Sequence, residues 1–403
     1  MAPNGHCVFR IFVKVEKKDT ERKDTKMRKA ISSGERLALT LGYLASGETQ
    51  SSLAYQFRIA QNTISAILKI VCNALVTVLK DHLQTPATEA EWESVSDEFH
   101  NLWLFPMCIG ALGGKHVKIS PPPKSGSLYY NYKGNFSIVL MALVGADLKF
   151  LFVDVGTNGR ISDGGVWAKC KLKSALEKNK IKIPKANILP DTLTKVPYVI
   201  ATDDAFPLSF NLMKRFPGRG VNEEERIFNY RLSRARRVSE NAFGILAARF
   251  QIFKQRILTN PANATKMVIA CFALHNFLIA NNSAIYTPPS SIDVENINSR
   301  QIRTGHWKNY SSKALVPLMK QRNKKPAELA KDAVNRISVP RWILSEQSIS
   351  VELHGFADAS ELAYGAVIYV KSINSYGDSD VKLSISKSRV ASLKCATIPR
   401  LEL

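Results

Sequence analysis

Asp203 and Glu240 are the residues of this sequence whose types and surroundings best suit chemistry. Asp203 stands at the end of an apolar run of β type, residues 196–202, and Glu240 follows a stretch rich in arginine. Hard cations such as Mg²⁺ bind one or two carboxylates and keep positions open for substrate phosphates. The pair therefore predicts a divalent-metal site, for Mg²⁺ or Mn²⁺, that acts on phosphodiester bonds.

The charge balance of the chain favours a polyanionic partner. Lys and Arg number 56 and Asp and Glu number 34 among 403 residues, which gives a formal net charge of +22. Such an excess is typical of proteins that bind nucleic acid, and an anionic membrane surface is the weaker alternative. We therefore expect DNA as the partner.

The sequence shows no expected signal for export or for insertion into a membrane. Its first residues are too polar for a signal peptide, and no apolar run reaches the ~18 residues of a membrane span. Six scattered cysteines without a CxxC spacing are expected to be reduced core residues. We expect an intracellular protein located in the nucleus, with the Lys-rich residues 14–29 as a candidate import or phosphate-contacting segment.

Residues 33–85 show the pattern of a helix-turn-helix DNA-binding region. An apolar stripe recurs at three- and four-residue steps along the third predicted helix, where Asn62 and Thr63 are expected to cap the start. The opposite face carries side chains suited to phosphate and base-edge contacts in a major groove. These candidate DNA-binding residues are Gln61, Asn62, Thr63, Ser65 and Lys69. A three-helix bundle that does not read DNA is the alternative.

After residue 104 the pattern changes to β type, and the order of elements predicts a ribonuclease H-like fold of the α/β class. Three apolar runs predict an antiparallel meander, and a helix, a fourth strand and further helices follow around one mixed sheet. The predicted strands are 105–119, 136–145, 150–155 and 198–202, and the predicted helices are 163–178, 207–216, 225–255 and 264–279.

Composition divides the chain into six segments. They are a basic N-terminal segment (1–32), the helix-turn-helix-like region (33–85), a linker with a short acidic helix (86–104), the mixed-sheet domain (105–283), a linker rich in Pro, Asn and Lys (284–335), and a final fragment (336–403). Two strands around residues 351–356 and 363–370 are predicted in the last segment.

Six ordered stretches in the middle of the chain form a recognisable set of motifs, namely 108–117, 130–137, 158–165, 203–208, 228–233 and 236–244. With these stretches the chain closely resembles the PIF/Harbinger-type transposases and their domesticated nuclease relatives in the DDE superfamily. The resemblance implies a DNA endonuclease whose second metal-binding Asp is Asp203 and whose metal-binding Glu is Glu240. It also implies that a separate Myb-like protein could be a partner.

Gly113 stands where this family has its first metal-binding Asp. A glycine offers no carboxylate to bridge two metals, so we predict that cleavage is slower by several orders of magnitude. A catalytically dead protein that binds DNA or a protein partner is the alternative function. Asp163 and Asp154 are candidate substitutes for the missing ligand, although Asp163 also suits a helix cap.

Basic side chains on the predicted helix 225–255 are candidate contacts to the DNA backbone. Arg234, Arg236 and Arg237 precede Glu240, and phosphate contacts of this kind make DNA affinity sensitive to salt. A solvated helix face without a ligand is the alternative for each of them. His116, three residues beyond Gly113, suits either a substrate contact or simple packing.

The end of the chain resembles the ribonuclease H region of BEL/Pao retrotransposon polyproteins. The matching stretches are 334–343, 353–367 and 387–403. The resemblance implies that Asp358 and Glu402 correspond to the first two metal carboxylates of that region. We expect a truncated, vestigial ribonuclease H-like fragment without activity.

Overall fold

The structure is a computed structural model of the chain. It describes residues 24, 30–161, 163–190, 193–204, 206–218, 221–295, 302–309, 315–317, 348–359, 363–374 and 379–390. Two compact units divide the chain, one of residues 1–294 and 304–338 and the other of residues 295–303 and 339–403. Most of the predicted basic segment 1–32 lies outside the described residues.

Three helices form the start of the first unit: α1 (Ser33–Ser46), α2 (Gln50–Phe57) and α3 (Gln61–Val78). The side chains of Ser32 and Thr49 cap α1 and α2 by accepting backbone N–H groups. The predicted cap at Asn62 and Thr63 is wrong, because α3 begins one residue earlier and has no side-chain cap. The three helices are present, and DNA binding by these helices stays a prediction.

The apolar stripe of α3 belongs to the core of the first unit. Ile64, Leu68, Val71 and Leu75 are fully buried, where α3 packs against α8 (Pro261–Tyr286) as well as α1 and α2. By length and composition, α3 and α8 could each cross a membrane, although core helices pass the same test. Their mutual packing gives both helices a buried face within the unit.

Residues 86–104 are more than a linker. Helix α4 (Glu89–Trp103) packs against the first strand of the sheet and buries Trp92, Phe99 and Trp103. The indole N–H of Trp103 donates to the carbonyl of Ala146 at 3.1 Å. The acidic helix is present as predicted, but its three buried aromatic rings make it part of the folded unit.

A mixed sheet forms the centre of the first unit. Strands β1 (Cys108–Lys118), β2 (Ser137–Val144) and β3 (Phe150–Asn158) pair in antiparallel order, which confirms the predicted meander. Strand β6 (Val199–Ala201) lies parallel to β1 on its other side, and β7 (Leu212–Met213) is parallel to β6. The strand order β3-β2-β1-β6-β7 is consistent with a ribonuclease H-like domain.

The predicted helix at 207–216 is wrong, because this stretch completes the sheet. Leu212 and Met213 are buried on β7, where Ile200 and Thr202 donate their backbone N–H groups to Asn211 and Met213. Backbone hydrogen bonding to the edge of β6 therefore outweighs the local helical pattern of these residues. A short ladder of β4 (Asn187–Ile188) and β5 (Lys195–Val196) precedes β6.

Four helices follow the meander. Helices α5 (Asp163–Lys169) and α6 (Lys171–Glu177) divide the single helix predicted there. The long basic helix α7 (Glu223–Arg249) starts with a capping box of Asn222 and Glu225, and it packs against β1. It ends before residue 255, where a 3-10 turn, Gln251–Lys254, leads towards α8. Helix α8 packs against β3 and α3.

The predicted linker 284–335 contains described residues that pack on the first unit. Asn241 of α7 accepts hydrogen bonds from the Asp293 amide and the Trp307 indole, and Asp293 pairs with Lys308 at 2.7 Å. Strand β10 (Leu315–Pro317) pairs with β1. The linker prediction is therefore wrong for these residues.

The other elements of the region 284–317 are β8 (Val294–Glu295), β9 (Ile302–Arg303) and the 3-10 turns Pro289–Ser291 and His306–Asn309.

The second unit contains a three-stranded antiparallel meander. Its strands are β11 (Ser348–Ala359), β12 (Ala363–Asn374) and β13 (Ser379–Val390), with β12 in the middle. The two strands predicted in this region are confirmed. Asp358 lies on β11 opposite Gly365, and Glu402 lies outside the described residues.

Burial of His275 makes the stability of the first unit depend on pH. Its ring nitrogens contact the Tyr286 hydroxyl at 2.9 Å and the Leu148 carbonyl at 3.1 Å, and burial lowers its pKa to about 4. The unfolded chain, with a histidine pKa of about 6.5, binds the proton first as pH falls. The neutral ring therefore contributes its full stabilisation of the folded chain above pH ~6.5. This contribution is lost as the pH falls to the folded pKa of about 4.

We predict that a His275→Gln variant, although less stable at pH 7, loses less stability than the parent between pH 7 and 5. The difference should be about 2 kcal/mol in the free energy of unfolding. Urea titrations of both proteins at the two pH values measure it. An equal loss in parent and variant would show that His275 binds its proton as readily in the folded chain as in the unfolded one.

Candidate active site

The parallel pairing of β1 with β6 places Gly113 beside Asp203. Ala111 pairs with Ala201 in this ladder, and Gly113 and Asp203 each follow two residues later. Because strand side chains alternate with a period of two, Gly113 shares the face of Ala111. The position that lacks a carboxylate is therefore level with the carboxylate at the end of the neighbouring strand.

Helix α7 brings Glu240 to the same place. A Cβ atom on Gly113 would lie 2.8 Å from a ring carbon of Phe243 and 3.3 Å from the Ser239 hydroxyl oxygen. Ser239 and Phe243 are neighbours of Glu240 on the helix. The structure thus brings together Gly113, Asp203 and Glu240, the three positions that the sequence resemblance predicts.

Arg236 links the two carboxylates. One of its guanidinium nitrogens lies 2.8 Å from Glu240 Oε1, one helical turn away, and another lies 3.7 Å from Asp203 Oδ2. The Arg236 side chain is 30% exposed, so solvent screens these ion pairs and each contributes about 1 kcal/mol at most. The guanidinium nevertheless supplies a positive charge where a metal ion would otherwise be needed to hold the carboxylates together.

Lys115 adds a second cation on the same side of β1. It follows Gly113 by two residues, and its ammonium lies 5.8 Å from the centroid of the Phe243 ring. Burial lowers the pKa of Lys115, while the negative charges of Glu240 and Asp203 raise it. The candidate site therefore holds two carboxylates and two cationic side chains.

A small open pocket lies next to these groups and is mostly polar. Its lining residues are Thr202, Asp203, Arg215, Leu232, Ser233 and Arg236. Asp204 does not face this site as a free ligand, because Arg215 pairs with it through two nitrogens, the closer at 2.8 Å. This contact agrees with a structural role for Asp204.

The donor set does not fit a two-metal centre. Among the residues that the structure describes, no group of three or more His, Cys, Asp or Glu side chains is arranged to hold a metal ion. Asp203 and Glu240 supply two carboxylates, and the ring of Phe243 lies where a Cβ atom on Gly113 would stand. Gly113 offers no carboxylate that could bridge two metal ions.

Asp154 cannot replace the missing ligand. It pairs with Met141, which in turn pairs with Gly114, so Asp154 lies on the face of the sheet opposite to that of Gly113. There it interacts with the thiol of Cys170. Asp163 opens helix α5, and its role as a substitute stays a prediction.

His116 also lies on the face of β1 away from Gly113. It is 1% exposed, and its Nδ1 atom lies 3.0 Å from the hydroxyl oxygen of Ser137. That oxygen also accepts a hydrogen bond from the Asn131 side chain at 2.9 Å. Burial lowers the pKa of His116 to about 4. Of the two roles predicted for His116, packing is therefore correct, and contact with substrate is not.

The candidate DNA-binding residues differ in their exposure. Arg234 is only 8% exposed, and its Nη1 atom has no hydrogen-bond partner among the described residues. The prediction of a phosphate contact at Arg234 is wrong for this conformation, because its side chain faces the interior. Four of the five residues predicted on the free face of α3 are exposed, and Thr63 is partly so; the exposed ones are Gln61, Asn62, Ser65 and Lys69.

Sequence reasoning missed the roles of Lys115 and Arg236 at the site. Two simple spacings could have revealed them. Lys115 shares a strand face with Gly113 because the two residues are separated by two positions. Arg236 and Glu240 are four residues apart on a helix, the separation at which side chains of opposite charge meet.

Comparisons with known proteins give two separate matches. Residues 112–276 match a family model described as DDE superfamily endonuclease, and residues 294–403 match one described as Pao retrotransposon-like RNaseH-like domain. The second match begins well before residue 336, where the sequence pattern predicts the start of the last fragment. No solved structure matches the chain.

Curated relatives match about two thirds of the chain. Protein ALP1-like of Arabidopsis thaliana is 26% identical over 252 residues, which are 62% of this chain and 61% of that protein. HARBI1 of Rattus norvegicus, named as a candidate nuclease, is 27% identical over 276 residues, 67% of this chain and 74% of that protein. This chain therefore spans less than two thirds of the first of these relatives.

We predict that Arg236→Gln raises the affinity of the site for Mn²⁺ about fivefold, since the variant lacks the cation that competes for both carboxylates. Electron paramagnetic resonance of free Mn²⁺ during titration measures the affinity. Arg160→Gln, which removes an exposed arginine outside the site, is the matched control and should bind Mn²⁺ like the parent. Equal affinity in all three proteins would show that Arg236 does not compete with a metal.

Proposed function

We propose that this chain is a transposase-derived DNA endonuclease whose metal-dependent cleavage is impaired. Its residues 112–276 match the DDE superfamily endonuclease model, and residues 294–403 match the Pao retrotransposon-like RNaseH-like model. DDE nucleases generally use a divalent metal, and the impairment is proposed for this chain from Gly113. The chain retains two of the three carboxylates, Asp203 and Glu240, on the elements that would present them.

The observation that carries this proposal is the surroundings of Gly113. Gly113 and Asp203 each lie two residues beyond the paired Ala111 and Ala201. A Cβ atom on Gly113 would meet Ser239 and Phe243, which flank Glu240 on α7, and this supports position 113 as the place of the third carboxylate. Loss of one carboxylate from a two-metal site removes the ligand that bridges the ions. The expected consequence is a rate lower by several orders of magnitude.

DNA is the proposed partner. A nuclease of this family would bind DNA, and the net charge of +22 favours a polyanion. We assign the DNA contacts to exposed groups at the start of α3 and to Arg237 on α7. We also propose that the protein is located in the nucleus. A Myb-like protein is a further proposed partner, based on the resemblance to Harbinger-type transposases.

A second candidate function is DNA or partner binding without cleavage. Two features of the site favour it. The guanidinium of Arg236 pairs with Glu240 and approaches Asp203, and the Phe243 ring fills the space of a Cβ atom on Gly113. A site neutralised and packed in this way can keep the fold and the basic surface without holding two metals.

We predict that Gly113→Asp restores metal-dependent nicking of supercoiled DNA, because it returns the third carboxylate. Phe243 must shift to admit the new side chain, so a Gly113→Asp/Phe243→Leu variant should nick at least as fast. The parent should show no nicking above background in Mg²⁺ or Mn²⁺. Gel conversion of supercoiled to open circular DNA measures all three proteins.

Gly113→Asn is the matched control, since it has the same shape without the charge and should stay inactive. Adding Asp203→Ala to Gly113→Asp should abolish the restored activity. Nicking by the parent protein that Asp203→Ala removes would contradict the proposed impairment. Failure of both Asp-containing variants, with unfolding midpoints close to that of the parent, would favour the non-cleaving function.

A further inference from the structure

A loop between β1 and β2 exposes aromatic side chains. Tyr130 is 47% exposed and Tyr132 is 49% exposed, and Leu128 beside them is 47% exposed. Three large apolar side chains are thus exposed at alternate positions of one loop, and clusters of exposed apolar side chains commonly mark a binding surface. We call residues 128–133 the tyrosine loop.

The tyrosine loop is held rigidly by Asn131, which is buried. The Asn131 side-chain oxygen accepts the backbone N–H groups of Lys133 at 3.0 Å and Asn135 at 3.1 Å. Its side-chain nitrogen donates to the Ser137 hydroxyl at 2.9 Å. Tyr130 and Tyr132 are therefore presented by a fixed backbone, which lowers the entropy cost of binding a partner.

Each tyrosine side chain is held by neighbouring groups. The Tyr130 ring contacts Phe136 edge to face at 5.2 Å, and the Tyr132 ring covers His116 at 5.9 Å. The Tyr132 hydroxyl donates to the carbonyl of Pro317 at 3.1 Å. About half of each side chain remains open to solvent while the ring orientation is fixed.

The surroundings of the tyrosine loop are cationic. The Lys133 ammonium lies 5.5 Å from the Tyr132 ring centroid, and the Arg160 guanidinium donates to Ser127 at 3.1 Å. Lys124 precedes the loop, and residues 118–146 contain no Asp or Glu. Aromatic rings next to positive charges are the combination that binds bases by stacking and the backbone by charge.

The tyrosine loop lies on the face of β1 opposite to that of Gly113, since His116 belongs to that face. The positive charge of Lys133 nevertheless acts on Lys115, whose pKa also responds to Glu240 and Asp203. The loop is thus close to the candidate active site without being part of it.

We propose that the tyrosine loop is a binding site for single-stranded DNA, in which Tyr130 and Tyr132 stack on bases and Lys133 and Arg160 contact phosphates. A duplex keeps its bases stacked on each other, so the exposed rings favour an unpaired strand. This inference rests on the proposed function only in taking DNA as the polyanion. It requires no cleavage.

The test measures the affinity of the full chain for a fluorescent twelve-nucleotide oligo(dT) by anisotropy, in EDTA. Tyr132→Ala and Tyr130→Ala should each weaken binding about tenfold. Tyr132→Phe loses the hydrogen bond to Pro317 but keeps the ring, so it should bind within twofold of the parent. Phe210→Ala, which truncates a 63% exposed aromatic side chain, is the matched control and should leave oligo(dT) binding unchanged.

A blunt duplex of the same length is the second probe. Its affinity should change less than twofold in Tyr132→Ala and Tyr130→Ala. Unchanged oligo(dT) binding in both alanine variants would overturn the proposal, and so would an equal loss for duplex and single strand. The binding assay contains no metal, so it does not depend on cleavage. If Gly113→Asp failed to restore nicking, the single-strand binding site would still stand. If oligo(dT) binding were unchanged in the alanine variants, the proposed endonuclease function would still stand.

Discussion

The parallel pairing of β1 with β6, together with the packing of α7 against β1, determines what the rest of the structure can do. The ladder sets Gly113 level with Asp203, and the contact of Phe243 and Ser239 with Gly113 sets the turn of α7 that carries Glu240. Three stretches far apart in sequence meet through these two contacts. A register slip of one residue in β1 would turn position 113 to the other face.

Charge at this junction is balanced by the protein's own cations. Arg236 bridges Glu240 and Asp203, and Lys115 stands on the same face of β1. In a site with three carboxylates, metal ions would offset the excess negative charge. With Gly113 in place of one carboxylate, two acids and two basic side chains balance without a metal, and Phe243 packs into the vacant space.

Much of this arrangement could be predicted from the sequence. The apolar runs of β1, β2 and β3 and the six ordered motifs were enough to predict the mixed sheet and to bring Gly113, Asp203 and Glu240 to one place. Local patterns failed where tertiary contacts decide. Leu212 and Met213, inside the predicted helix 207–216, form β7 because β6 offers an open edge. Asp154 cannot assist Asp203 because the pleat turns it to the other face. The burial of Arg234 and the docking of Asp293 and Trp307 on Asn241 likewise depend on contacts that no sequence pattern encodes.

The central proposal is that this site does not hold two divalent metals, because position 113 carries no carboxylate. Equilibrium dialysis with Mn²⁺ in the presence of DNA measures the number of ions bound per chain most directly. We expect at most one ion for the parent protein and two for Gly113→Asp. Two ions bound by the parent, with one or both lost in Asp203→Ala, would contradict the account.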